Sequence, residues 1–189
     1  LKSADSDAMK SFVATMIAAN TTANLSRLNP SSPLPIGNPT EGALLLWLDK
    51  QNIDYELLRE QFATSSQWTF STERKYMATK GKGIDGRSIL LVKGAPEIVL
   101  ALCSEMQQST ERVPLLESEK NVIEKQLFDL QKRGMRTLGF AYKYDSADTL
   151  EIETAATTLC WVGFVAIADP VRPDVPSAVA ACYKAGDRK

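Results

Sequence analysis

The sequence predicts a mixed α/β or α+β domain, with a sheet that is at least partly antiparallel and helices packed on its faces. Two observations carry this. The strand-like stretches 68–81 and 87–94 are separated by "KGIDG", whose Asp-Gly pair signals a hairpin rather than a helical crossover. Helical periodicity dominates before them and returns after them at 96–104 and 117–134, so apolar helix faces have a sheet to cover.

The elements follow in order. Met9, Phe12, Val13, Met16 and Ile17 form one helical stripe, with Ser6 as an expected N-cap. The stretch 20–39 holds four prolines and reads as a long surface loop. Pro39 suits a first helical turn because its missing N–H would be unpaired there, so "PTEGALLLWLDKQN" reads as a helix with Glu41 at its positive end. A shorter helix is expected over 54–61. After the hairpin, Pro96 opens a helix over 96–104. "ESEKNVIEKQLFDLQKRG" forms another, with Ile123, Leu127 and Leu130 as its stripe and Gly134 as its stop. The segments 135–144 and 158–169 are the last strands, joined by the polar connection 145–156. The final stretch, with three prolines in "DPVRPDVP", reads as a stiff hinge leaving the domain.

Bulk properties exclude several functions. The 22 basic and 23 acidic residues leave a net charge of −1, so no broad basic face is expected and nucleic acid or an anionic membrane is not a main partner. No apolar run is long enough to cross a bilayer. The chain has no histidine, which removes imidazole metal sites and every Ser-His or Cys-His nucleophile system. Three cysteines without a CxxC pair suggest neither a zinc site nor a disulfide framework, and fit a reducing compartment.

The remaining chemistry fits a nucleotide. Neither GxxxxGK[ST] nor GxGxxG is present, and the glycines of "KGKGIDG" lie at a hairpin tip rather than a helix start. A purine nucleotide needs a face to stack on, an acceptor for its amino group and cations for its phosphates. Phe70 and Lys75, expected in one strand, offer the first and one cation. Lys93 ends the next strand across the hairpin, where pairing brings it near them. Glu41 starts a helix and Arg136 a later strand. Each has a duller reading: Phe70 as core, Lys75, Lys93 and Arg136 as solvated cations, Glu41 as a dipole partner.

Five motifs in order make the reading more specific: "GNPTEGALL" (37–45), "FSTERKYM" (70–77), "KGAPE" (93–97), "RGMRTLGFA" (133–141) and "DPVRPDV" (169–175). Together they resemble the nucleotide-binding domain of P-type cation-transporting ATPases over nearly the whole chain, with most likeness to the calcium-pump, plasma-membrane-type branch. The resemblance implies a twisted, mainly antiparallel sheet between two helical layers. It implies a nucleotide-binding domain over 1–168, and over 169–189 a hinge with the start of a truncated phosphorylation domain. ATP would be the ligand, as Mg-ATP in the whole pump. Phe70 would stack on adenine, Glu41 would accept from its amino group, and Lys75 would line the pocket. Lys93 would sit deep near base and ribose, with Gly94 allowing close approach of the ligand. Arg136 would reach the phosphates, with Thr40, Met77 and Leu138 as neighbours.

The family's phosphorylated aspartate in "DKTGT" is not in this sequence, nor are its magnesium-binding aspartates or membrane helices. The resemblance therefore implies a module that binds ATP without hydrolysing it. It would be monomeric alone, would lie on the cytoplasmic face of a membrane without touching it, and would partner the pump's phosphorylation and actuator domains. Asn38 and Thr72 stand where some members carry an acid and an arginine. The alternative is an interaction module whose nucleotide cleft is vestigial.

Overall fold

A computed structural model describes residues 2–29, 32–83, 85–144 and 152–168. The chain begins with α1 (Lys2–Ala19), then a two-stranded ribbon of β1 (Asn24–Ser26) and β2 (Leu34–Ile36). Helices α2 (Pro39–Lys50) and α3 (Tyr55–Gln61) precede β3 (Ala63–Trp68), β4 (Tyr76–Lys82) and β5 (Ser88–Gly94). Next come α4 (Pro96–Ala101), β6 (Cys103–Gln108), β7 (Glu111–Pro114) and α5 (Glu117–Lys132). The last described elements are β8 (Arg136–Tyr144), α6 (Ile152–Ala155) and β9 (Leu159–Ile167).

Strands β3 to β9 form a seven-stranded sheet in the order β3-β4-β5-β8-β9-β6-β7. Every pairing is antiparallel except β6 with β9. The expected α+β class with a mainly antiparallel sheet is what the chain adopts. Strand β5 shows how the sheet divides its neighbours. Ile89 and Leu91 point into one core with α1, α2 and α3, while Leu90 and Val92 point into a second with α4 and α6. Both faces are covered, so a central strand is apolar throughout instead of alternating.

Local signals explain the element ends. The Asn38 side chain accepts from the Thr40 and Glu41 amides at 2.9 and 3.2 Å and so caps α2, with Pro39 behind it. Gly134, at φ +74°, takes the left-handed conformation that ends α5, and the Gly134 and Met135 amides close the last turn on Gln131 and Leu130.

Several expectations need correction. Helix α1 is already helical at Lys2, so Ser6 lies inside it and not at its N-cap. The proline-rich stretch 20–39 contains the β1–β2 ribbon in addition to loop. Segment 68–81 is not one strand: β3 ends at Trp68, residues 69–75 form a loop, and β4 starts at Tyr76. The helix expected to reach residue 104 ends at Ala101, since Cys103 already pairs with Leu159 of β9. The hairpin β6–β7 was not expected at all. The hinge at 169–173 and most of the connection 145–156 lie outside the described residues.

Candidate functional site

Strand alternation decides where Lys93 points. It follows Ile89 and Leu91 at two-residue spacing and so faces the α1–α3 layer. Its neighbours in the sheet are Met77 of β4 and Phe140 of β8. Lys93 is 3% exposed, far from the solvated lysine that a strand end suggests. A cation there needs a partner, and α2 supplies one: Nζ donates to Glu41 Oε1 at 2.9 Å, with Glu41 itself 7% exposed.

The other carboxylate oxygen is equally engaged. Glu41 Oε2 accepts from the Thr22 amide at 3.0 Å, the Thr22 hydroxyl at 3.0 Å and the Ala23 amide at 3.2 Å. The turn that presents these donors is held by α3. The Arg59 guanidinium donates to the Ala18 and Ala23 carbonyls and to Asn24 Oδ1, and the Leu25 amide donates to the Tyr55 hydroxyl. Burial pushes the Glu41 carboxyl up, but the Lys93 ammonium and the hydrogen bonds from Lys93 and Thr22 outweigh it, leaving the group below the ordinary carboxylate range. Burial also pulls the Lys93 ammonium below its usual value, against the pull of Glu41.

The structure brings together much of what the sequence singled out. Arg136, Leu138 and Phe140 alternate along β8 on the same face as Lys93, since Phe140 pairs with it. The Arg136 Nη1 donates to Thr40 Oγ1 at 3.0 Å, joining the start of β8 to the first turn of α2. Met77 is buried beside Lys93, and Leu138 packs at the edge of the same core. Met77, Lys93, Arg136 and Leu138 therefore share one sheet face under the N-terminus of α2, which contributes Thr40 and Glu41.

Phe70 and Lys75 are placed differently. They lie in the β3–β4 loop, not in a strand, and Lys93 pairs with Met77 instead of with either. Phe70 is 58% exposed, so it is not core. Lys75 has a left-handed φ of 57°, uncommon for a residue with a side chain, and its carbonyl accepts from the Ala95 amide at 2.9 Å. That bond ties the loop's end to the residue two beyond Lys93. Gly94 points to the opposite face from Lys93. A Cβ there would collide with the Lys75 carbonyl oxygen and with Tyr76, so the glycine admits the chain's own backbone.

Hollows of about 510 and 400 Å3 lie elsewhere on the α1 side of the sheet, lined largely by apolar residues such as Phe12, Leu91, Trp47 and Val165, and one of about 320 Å3 is lined by Arg87, Gln107 and Tyr142 among others. None is lined by the candidate site residues. Among the described residues there is no cluster of three or more metal-ligating side chains, and no helix is long and apolar enough to span a membrane. Thr22 and Arg59 were missed from sequence. For Thr22 the signal is the polar run "NTTAN" between an apolar helix and a strand; nothing local marks Arg59.

Residues 8–174 match the family described as P-type ATPase, cytoplasmic domain N. This chain belongs to that family. A probable cation-transporting P-type ATPase of Mycoplasma genitalium is 34% identical over 153 residues, covering 79% of this chain and 16% of that protein. Plasma membrane calcium-transporting ATPase 4 of Homo sapiens is 34% identical over 169 residues, 82% of this chain and 13% of its own length. Plasma membrane calcium-transporting ATPase 1 of Mus musculus is 30% identical over 190 residues, with 93% and 16% covered. The chain thus spans 13–16% of the length of these relatives.

Proposed function

We propose that this chain is the ATP-binding domain of a cation-transporting P-type pump, with calcium as the transported ion. It holds ATP, accompanied by magnesium, while an aspartate carried outside this sequence attacks the γ-phosphate. Such phosphoryl transfer depends on positioning and on electrostatic stabilisation of the phosphates, and the module's share is positioning. Phe70 stacks on adenine, Glu41 accepts from its amino group, and Lys75 lines the pocket. Lys93 lies near base and ribose, Arg136 near the phosphates, and Thr40, Met77 and Leu138 complete the wall. Gly94 contributes through its backbone. Residues 1–168 make up the domain, and 169–189 lead toward the phosphorylation domain, which with the actuator domain is its partner at the cytoplasmic face of the membrane.

The observation that carries this reading is the family match together with an exposed aromatic, Phe70, in a loop bonded next to a cationic and acidic cluster. Calcium rests on the names of the relatives. One stacked base and a few charged contacts, less the cost of immobilising ATP, leave about 4–6 kcal/mol, a Kd between roughly 1 mM and 50 µM.

One observation favours a second reading. Lys93 and Glu41 already satisfy each other in a buried pair, as they would in an interaction module with a vestigial cleft. Backbone amide NMR with ATP and GTP separates the two. Saturable, ATP-preferring shifts at Glu41, Phe70, Lys75, Lys93 and Arg136 are expected. Flat titrations on the folded chain, up to several times the ~1 mM upper bound, would overturn the ATP reading in favour of the interaction module.

A further inference from the structure

We infer that Thr22 is a positioning residue that sets base selectivity through Glu41, an inference that rests on the ATP-binding reading. A carboxylate offers about four acceptor sites, two on each oxygen. Glu41 Oε2 is saturated by three donors from Thr22 and Ala23, at 3.0 to 3.2 Å. Among the described residues, Oε1 takes only the Lys93 ammonium, at 2.9 Å. One acceptor site on Oε1 therefore remains for a ligand, and its direction is set because Oε2 cannot turn.

An adenine amino group donates into that site. Guanine carries a carbonyl oxygen at the same ring position, which sets acceptor against acceptor. A site built to receive an N–H rejects analogues that lack it, because its own polar group is then left unpaired. The selectivity depends on the carboxylate not rolling. Lys93 is the competing donor: without the Thr22 hydroxyl, Oε2 is held by the Thr22 and Ala23 amides alone, and Glu41 can roll toward the ammonium and use up the open site.

The turn bearing Thr22 is built to resist this. Arg59 bridges Ala18, Ala23 and Asn24, and Tyr55 takes the Leu25 amide, so the donors stay in place without the ligand. Thr22 itself is exposed, at the rim above a carboxylate that is buried. Its hydroxyl can be removed without opening the core.

The test compares ATP with purine riboside triphosphate, the same nucleotide without the amino group, on the whole 189-residue chain. Equilibrium Kd values are measured for the wild type, Thr22→Val and Thr22→Ser. The wild type is expected to prefer ATP by about tenfold, the worth of one hydrogen bond to a carboxylate oxygen that keeps its Lys93 partner. Thr22→Val is expected to weaken ATP by about three- to tenfold and to leave the analogue's Kd unchanged. Thr22→Ser, which keeps the hydroxyl, is expected to restore ATP binding. Equal losses for both nucleotides in Thr22→Val, or no loss for either, would overturn the positioning role, as would failure of the serine to restore it. Equal wild-type affinities would remove the acceptor role of Glu41 while leaving ATP binding intact. If the wild type bound neither nucleotide, the ATP reading and this inference would fall together.

Discussion

The Glu41–Lys93 pair and the Phe70–Lys75 loop flank the same end of β5, yet they are built on opposite terms. The pair is buried, its charges cancel, and Glu41 is bonded through both oxygens to β5 and to the α1–β1 turn. The loop is exposed, carries an aromatic ring in solvent and a backbone in an uncommon conformation, and is tied to the residue just past the pair's strand by the Ala95 amide on the Lys75 carbonyl. One half of the candidate site is therefore also architecture, and the other half is free to serve a ligand. Substitutions in the first half change stability before they change binding. Those in the second change binding alone.

The largest effect should come from breaking the pair. Lys93→Met keeps most of the side-chain volume but leaves the Glu41 carboxylate buried beside an apolar group. A loss of about 3–5 kcal/mol is expected in chemical denaturation. A loss within the range of ordinary surface changes, about 0.5 kcal/mol, would mean that the pair does not anchor α2 to the sheet.

Gly94→Ala comes next. The new methyl meets a backbone carbonyl and the start of β4, neither of which can swing aside. A cost of about 1–3 kcal/mol in urea denaturation is expected, with any nucleotide effect following from the shift of the Lys75 loop. A stability equal to wild type would show that the loop gives way easily.

Acid sensitivity sharpens the contrast further. The Glu41 carboxyl titrates below its unfolded-state value because Lys93 and Thr22 overcome the effect of burial. Its stabilisation is thus fully present above the unfolded carboxylate value of about 4.3 and is lost as pH falls through the lower folded value. Urea denaturation between neutral pH and pH 3 should show this acid limb, and Glu41→Gln should flatten it. An unchanged limb would assign the acid loss to other carboxylates.

The smallest effect on stability belongs to Phe70→Ala. An exposed ring contributes little to folding, so a change within about 0.5 kcal/mol is expected.

How far the sequence could be read follows the same division. The β4–β5 hairpin, the Pro39 start of α2 and the Gly134 stop of α5 were legible because each rests on a residue with a strong local preference. Strands β3 and β7 were not, because they form the two edges of the sheet. Most of their side chains are exposed, so no apolar alternation marks them. β6 carries the same polar character in "SEMQQ" and is recognisable through its pairing with β9 and β7.

In the site, residue types were legible and partners were not. Glu41 and Lys93 were singled out as an acceptor and a cation for a ligand, but 52 residues separate them and only the fold shows them bonded to each other. Thr22 went unnoticed because its role depends on a turn folded by Arg59 and Tyr55 of another helix. Phe70 and Lys75 were expected in a strand because "WTFSTERKYM" mixes strand formers with polar residues. The turn at 72–74 interrupts what the composition suggested was continuous.

The measurement that bears most directly on the division is the affinity of Phe70→Ala for ATP, taken alongside its stability. Loss of a stacking face is expected to cost about 1–3 kcal/mol of binding, roughly five- to 150-fold in Kd, in a chain as stable as wild type. Unchanged ATP affinity in the folded variant would contradict it, removing the exposed loop from the site.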